Sequence, residues 1–232
     1  MVLSIHGEPE AQERPEYAYT GLYQYLLSRG IGVLAPNIRG STGYGISYQK
    51  RIHRDWGGAE LEDIRHAAEY LRTLAWVDAS RLAIFGGSFG GFATLSALAR
   101  LPEYWAAGVD LVGPSNLVTF LESVPPCWRP TMRNWLGDAE ADRDFLLERS
   151  PITYVERIRA PLLVIQGAND PRVVQAESDQ LVEGLRQRGL DVTYYVDERG
   201  GYGPASREDG KRWMRMIAEY LEAKLLAAPS TG

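Results

Sequence analysis

A serine within a glycine-rich segment is the first feature of this sequence that could do chemistry. Residues 86–90 read Gly-Gly-Ser-Phe-Gly, with Ser88 between an apolar run (82–85) and a helix-forming segment (93–100). A Gly-x-Ser-x-Gly sequence at a strand-to-helix turn is typical of a nucleophile elbow, where the bend is so tight that small residues must flank the serine. The bend leaves the hydroxyl exposed at the carboxyl end of a parallel sheet. We therefore predict that Ser88 is a nucleophile.

An acid that could serve this nucleophile follows a later apolar run. A serine hydroxyl needs a base, a group that orients the base, and donors for the oxyanion. In elbow enzymes these partners follow in the order serine, acid, histidine. Asp170 lies just past the run 161–165, where the acid is expected. The alternative is an Asx-turn residue before Pro171; chain order and strand position favour the catalytic role.

The histidine that this order requires is absent. The three histidines of the chain, His6, His53 and His66, all precede Ser88. A general base must first lie within hydrogen-bond distance of the proton that it takes. We do not expect any of the three histidines to lie that close to the Ser88 hydroxyl. We expect His6 to hold a loop, His53 to lie on a basic surface stretch and His66 to lie mid-helix. The sequence thus predicts a nucleophile without its base.

Short apolar runs alternate with amphipathic segments along the chain. Strands are predicted at 2–5, 31–35, 82–85, 108–112, 161–165 and 191–196. Helical faces are predicted at Tyr19, Leu22, Tyr23, Leu26 and Leu27, at Leu61, Ile64, Ala68 and Leu71, over 178–187, and at Trp213, Ile217, Tyr220 and Leu221. This alternation indicates an α/β fold with a mainly parallel sheet covered on both faces. We place strand 31–35 at an edge and strand 2–5 beside the strand that feeds Ser88, a topological switch point.

The segment 115–150 differs in composition, since it is rich in Trp, Pro and charge. We predict that it is an excursion over the site that supplies the substrate pocket, with Trp128 among the pocket residues. Residues 1–232 are otherwise expected to form one domain, ending in a frayed tail at 227–232. The bare apolar edge strand favours a homodimer.

The composition limits the kinds of binding partner that we expect. The formal net charge of −5 argues against nucleic acid or an anionic membrane as the partner. A single cysteine, Cys127, excludes an internal disulfide and fits a reducing compartment. With neither a signal peptide nor a run of membrane-spanning length, we expect a cytoplasmic protein. We expect no metal and no cofactor.

Four sequence blocks in one order resemble the catalytic domain of the prolyl oligopeptidase family of serine peptidases, nearest its acylaminoacyl-peptidase-like branch. The blocks are Asn-Ile-Arg-Gly-Ser-Thr-Gly-Tyr-Gly at 37–45, Asp-Trp-Gly-Gly at 55–58 with Leu-Glu-Asp at 61–63, Gly-Gly-Ser-Phe-Gly-Gly at 86–91, and Gln-Gly-Ala-Asn-Asp-Pro-Arg-Val at 166–173. The resemblance implies an α/β-hydrolase fold that cleaves a peptide or small ester. It implies Ser88 as nucleophile, Asp170 as acid and the N–H groups of Phe89 and Glu8 as oxyanion donors. Trp56 would be scaffold.

Three departures from the family pattern lie at or near the implied site. Residues 197–201 read Asp-Glu-Arg-Gly-Gly where the family has Asp-Glu-Gly-His-Gly, so Gly200 stands in the place of the histidine. Glu8 replaces the second glycine of His-Gly-Gly-Pro, and its carboxylate would oppose a developing oxyanion. Cys127 stands where an aromatic residue is expected. The family's propeller and first sheet strands are also missing before Val2, so we expect a domain truncated at its N-terminal edge.

The clustering of these departures suggests deliberate change, and we favour an engineered variant over a lineage that has given up the chemistry. Acyl transfer by Ser88 is expected to be strongly impaired. Two alternatives remain open. One is a rebuilt site that uses Glu8 as general base or Cys127 as nucleophile; the other is a binding module without turnover. For Glu8 the competing interpretation is an exposed loop acid, and for Cys127 it is a small buried hydrophobe.

Overall fold

The computed structural model describes residues 1–226; the predicted tail at 227–232 lies outside the described residues. Six strands form one parallel sheet in the order β2-β1-β3-β4-β5-β6. Their bounds are Val2–Ile5 (β1), Val33–Leu34 (β2), Ala83–Gly87 (β3), Ala107–Leu111 (β4), Leu162–Gly167 (β5) and Val192–Asp197 (β6). The predicted α/β class and the predicted places of the first two strands are confirmed.

Helices connect the strands and cover the sheet. The α-helices of the described chain are Leu22–Ser28 (α1), Ile46–Gln49 (α2), Glu60–Thr73 (α3), Phe89–Arg100 (α4), Leu117–Ser123 (α5), Arg129–Trp135 (α6), Arg143–Arg149 (α7), Gln175–Gln187 (α8) and Arg207–Leu226 (α9), with short 3₁₀ turns at Lys50–Ile52, Pro102–Tyr104 and Pro151–Arg157. Within residues 1–226 no helix combines the length and the apolar character needed to cross a membrane.

The two faces of the sheet bury separate apolar cores, because successive strand side chains point to opposite sides. Leu3, Ile84 and Val164 point into a core shared with α3, α4 and α8. Their chain neighbours Val2, Ala83 and Leu163 point into a second core, closed by α1 and α9. Both faces are thus covered, as parallel sheets require.

Two details of the predicted elements are wrong. The second strand is only two residues long, and its residues are half-buried, as suits a short edge strand. In the first helix, Tyr19 precedes the helix and is 93% exposed, and Leu27 is 59% exposed. Only Leu22 and Leu26 are fully buried there. The other predicted helical faces are confirmed, although Tyr220 is only half-buried.

Candidate active site

The turn from β3 into α4 has the geometry of a nucleophile elbow. Ser88 adopts φ 55° and ψ −119°, on the side of conformational space that costs a non-glycine residue about 1–3 kcal/mol. The flanking glycines make the bend sterically possible. A Cβ on Gly86 would lie 2.3 Å from the backbone of Gly90, and a Cβ on Gly90 would lie 2.2 Å from the carbonyl oxygen of Ile5. The turn thus places Ser88 directly after β3, at the carboxyl end of the sheet.

Ser88 opens into an apolar cavity of about 240 Å³. The aromatic walls come from separate parts of the chain: Trp56, Phe120, Trp128, Trp135 and Tyr202. Three of these residues belong to the segment 115–150, which folds as helices α5 to α7 and the loops between them. Trp128 thus lines the cavity beside Ser88, and its part in binding a substrate stays a prediction. Trp56 also lines the cavity and packs on Phe89 with ring centroids 4.7 Å apart, so the expectation that it is scaffold alone was too narrow.

Arg172 is a cavity residue that sequence reasoning did not single out. Its guanidinium lies between two aromatic rings, 4.5 Å from the centroid of Trp128 and 4.4 Å from that of Tyr202. Cation–π contacts of this kind stabilise an arginine without an acidic partner. The signal was present in the block Asp-Pro-Arg-Val at 170–173, but the stacking partners come from two distant segments.

Asp170 is buried, and its two carboxylate oxygens lie in different environments. Its side chain is 5% exposed, and its Oδ1 accepts from the backbone N–H groups of Arg172 and Val173 at 2.8 and 3.0 Å. Its Oδ2 is buried and has no hydrogen-bond partner within the described chain. Burial raises the pKa of Asp170, and the two N–H donors, the charge of Arg172 and the side chain of Gln166 offset part of that effect. One oxygen is therefore anchored, and the other makes no hydrogen bond of normal geometry within the described chain.

Gly200 lies in the loop that is hydrogen-bonded to the loop of Asp170. The N–H of Asn169, the residue before the acid, donates to the carbonyl of Gly200 at 2.9 Å, and the Asn169 amide donates to the carbonyl of Glu198. The strands before these loops pair through Gly167 and Asp197. The fold thus brings Gly200 beside Asp170, although neither residue lines the cavity itself.

None of the three histidines is placed to act as a base for Ser88. Both ring nitrogens of His6 are engaged: Nδ1 donates to the carbonyl of Glu8 at 2.6 Å, and Nε2 lies 2.9 Å from the hydroxyl of Ser41. Burial also lowers the pKa of His6. His53 contacts Glu10, and His66 is exposed on α3. Within the described residues, the Ser88 hydroxyl makes no side-chain hydrogen bond.

The two residues considered for a rebuilt site are both exposed. Glu8 lines the cavity, but its side chain faces solvent and lacks the apolar pocket that we expected of a general base. Cys127 is exposed and does not line the cavity, although its neighbour Trp128 does. The interpretation of Cys127 as a small buried hydrophobe is therefore wrong, and its role as a nucleophile stays a prediction.

The oxyanion donors differ from the expectation in one respect. The N–H of Phe89 begins α4, but it donates to the carbonyl oxygen of Gly7 at 3.2 Å. A peptide's C=O and N–H point in opposite directions, so the N–H of Glu8 does not face the same point. The predicted pair of donors is not assembled in this structure.

Fold and site together define an α/β-hydrolase of the serine peptidase type. A family model for the prolyl oligopeptidase family matches residues 18–227, and the chain belongs to that family. Dipeptidyl aminopeptidase BIII of Pseudoxanthomonas mexicana is 41% identical over 226 residues, covering 95% of this chain and 32% of that protein. Human acylamino-acid-releasing enzyme is 29% identical over 200 residues, covering 83% of this chain and 27% of that protein.

The solved structures agree with this assignment. A puromycin-hydrolyzing peptidase of Mycobacterium tuberculosis superposes with a TM-score of 0.91 at 30% identity, covering 99% of this chain and 34% of that one. The chain thus spans about a third of the length of these relatives.

Proposed function

We propose that this chain is the hydrolase domain of a peptide- or ester-cleaving serine enzyme in which acyl transfer is strongly slowed by the loss of its base. The observation that carries the proposal is the buried, unpartnered Oδ2 of Asp170 beside the loop of Gly200. A buried carboxylate oxygen without a donor is costly. Its position is explained if the site was built for a histidine at residue 200, whose ring N–H would have donated to it.

In the parent reaction, the oxygen of Ser88 bonds to the substrate carbonyl carbon while the base takes the hydroxyl proton. The base then gives this proton to the leaving amine or alcohol, and water completes the cycle by the same route. In this chain the hydroxyl proton has only water to go to. Loss of the histidine from a serine triad lowers kcat by a factor on the order of a million. We therefore expect this chain to hydrolyse its substrate slower than a complete triad would by about that factor.

The cavity supports a substrate with a bulky apolar side chain. Its walls are mainly aromatic, and its one cationic side chain, Arg172, is already stacked between two rings. The relatives' printed activities, which include dipeptidyl aminopeptidase and puromycin hydrolysis, agree with a peptide or aminoacyl substrate.

Restoring the base tests the proposal, but the local packing requires care. A Cβ at residue 200 would lie 2.9 Å from Cγ of Asp197, whose carboxylate is held by the indole N–H of Trp213. Arg199, where the family has glycine, pairs with Asp209 at 2.9 Å and anchors the same loop. We therefore pair Gly200→His with the double variant Arg199→Gly/Gly200→His, which restores the family sequence of the loop.

The measurements are hydrolysis of an activated ester with an apolar side chain and labelling by a fluorophosphonate, located by mass spectrometry. We expect the unmodified chain to stay unlabelled, and the double variant to be labelled at Ser88 and to hydrolyse the ester at least about a thousandfold faster. The control adds Ser88→Ala, which should abolish both signals. A correctly folded double variant that shows neither labelling nor hydrolysis, even with Glu8→Gly added, would contradict the proposal.

A second candidate function is a peptide-binding module without turnover, favoured by the intact cavity beside an incomplete triad. This module would bind peptides that carry an apolar side chain and release them unchanged. Calorimetry and product analysis on the unmodified chain separate the two: binding without product over days supports the module, whereas slow product formation that Ser88→Ala removes supports the impaired hydrolase. The engineered origin stays a prediction, and the chemistry is the same under either origin.

A further inference from the structure

The Gly7–Glu8 peptide blocks the donor that would stabilise an oxyanion. The N–H of Phe89 is the first of α4, and N–H groups in a first helical turn have no partner within the helix. Here it donates to the carbonyl oxygen of Gly7 at 3.2 Å. A developing oxyanion is itself an acceptor and needs this N–H. The Gly7 carbonyl must therefore leave before the site can hold a tetrahedral intermediate.

Rotation of one peptide plane would open the hole. Turning the Gly7–Glu8 peptide by about 180° would move the Gly7 carbonyl away from Phe89 and bring the Glu8 N–H toward the same point. Only ψ of Gly7 and φ of Glu8 change strongly in such a rotation. The flanks stay fixed, because the carbonyl of Glu8 is held by Nδ1 of His6 at 2.6 Å and His6 is in turn bonded to Ser41.

Glu8 resists this rotation through its backbone. Residue 8 now has a negative φ, since it is not among the non-glycine residues with positive φ. The rotation would carry φ to the positive side, which glycine adopts freely and other residues avoid. Pro9 restricts the residue before it further, to extended conformations. The carboxylate has little influence by comparison, because it is exposed and its charge is screened by water.

We propose that Glu8 is a positioning residue whose backbone keeps the Gly7–Glu8 peptide turned with its carbonyl on the Phe89 N–H, so that the oxyanion hole stays closed. The proposal rests on the acyl-transfer function inferred above. It assigns the second defect of the site to conformation at residue 8, where the sequence alone had suggested charge repulsion.

Three substitutions of Glu8 separate the effect of its backbone conformation from the effect of its charge. Glu8→Gln removes the charge, Glu8→Ala removes charge and bulk, and only Glu8→Gly also frees φ. In the Arg199→Gly/Gly200→His background we expect the first two to change kcat for the activated ester by less than about threefold. Glu8→Gly should raise kcat by about tenfold or more, with little change in KM. Equal gains from Glu8→Ala and Glu8→Gly would overturn the proposal.

A measurement without catalysis keeps this test distinct from that of the proposed function. Amide hydrogen exchange by NMR, without other substitutions, should show the Phe89 N–H exchanging about tenfold faster in Glu8→Gly than in Glu8→Ala. The Phe92 N–H, which donates to the Ser88 carbonyl at 2.9 Å, is the internal control and should not change. Faster exchange without restored hydrolysis would refute the proposed function and keep this inference. Unchanged exchange at Phe89 would refute this inference alone.

Discussion

The buried carboxylate of Glu60 should make the stability of the fold depend on pH. Glu60 is fully buried at the start of α3. Its two oxygens accept from the backbone N–H groups of Gly57 and Gly58, the residues that follow the cavity residue Trp56. Burial raises the pKa of Glu60 from 4.5 to about 7, although the two N–H donors oppose the rise. The folded state therefore binds this proton more tightly than the unfolded state does.

The sign and size of the effect follow from linkage. The stabilising contribution is complete below pH 4.5, is lost as the pH rises toward 7, and changes no further above that. A rise from 4.5 to about 7 corresponds to a loss of about 3 kcal/mol in the free energy of unfolding, at about 1.4 kcal/mol per pKa unit. Between pH 5 and pH 8, about 2–3 kcal/mol of this loss should be observed.

Glu60→Gln isolates this contribution, because the amide does not titrate. At pH 5 the variant should match the unmodified chain to within about 1 kcal/mol, because the protonated carboxyl of Glu60 and the amide of glutamine both present one acceptor and one donor group to the two N–H donors. At pH 8 it should have gained about 2–3 kcal/mol relative to the unmodified chain. The assay is urea unfolding followed by tryptophan fluorescence at both pH values.

The matched control is Glu62→Gln, an exposed acid on the same helix that pairs with Arg65. Arg65 lowers the pKa of Glu62, so this group titrates below the measured range and the substitution should leave the difference between pH 5 and pH 8 unchanged. Parallel stability curves for Glu60→Gln and the unmodified chain would show that Glu60 is ionised throughout, and would refute the argument from burial.

Two further predictions concern the elbow and the cavity. Gly90→Ala should destabilise the fold by about 3 kcal/mol or more, because its Cβ would lie 2.2 Å from the Ile5 carbonyl. Gly203→Ala, with nothing within 4 Å of its Cβ, should change stability by less than about 0.5 kcal/mol in the same urea assay. Trp128→Ala should weaken binding of a peptide with an aromatic side chain about fivefold or more, because it removes a cavity wall and one stacking partner of Arg172. An alanine-containing peptide, measured by calorimetry alongside, should lose much less affinity.

The parts of the fold that sequence predicted well are governed by local rules. A buried parallel strand appears as a short apolar run, and the elbow around Ser88 needs its glycines at fixed positions. These rules also fixed the place of β1 beside β3, since the elbow strand of such a sheet is central. The predicted length of β2 was wrong because strand length at an edge depends on pairing with a distant segment, which has no local signal. Only Val33 and Leu34 pair with β1.

The parts of the site that sequence missed depend on contacts between distant segments. Arg172 stacks on rings from residues 128 and 202, and neither pairing has a local signal. Exposure of Glu8 and Cys127 is likewise a tertiary property, because it depends on which other segments pack over their loops. The blocked N–H of Phe89 depends on the orientation of one peptide, which residue types restrict but do not determine.

Positions 8 and 200 differ in how much change the local packing allows. Residues 86 and 90 are confined by backbone atoms within 2.3 Å of any added Cβ, so substitution there would damage the sheet. Glu8 is exposed, so a change of its side chain costs the core little. Gly200 is buried, and a Cβ there would lie 2.9 Å from Cγ of Asp197, so a histidine at residue 200 requires the Asp197 side chain to shift. The Asp170 carboxylate also has a structural role, because its Oδ1 accepts from the N–H groups of Arg172 and Val173. The response of hydrolysis to a restored histidine therefore distinguishes a triad acid from a turn residue.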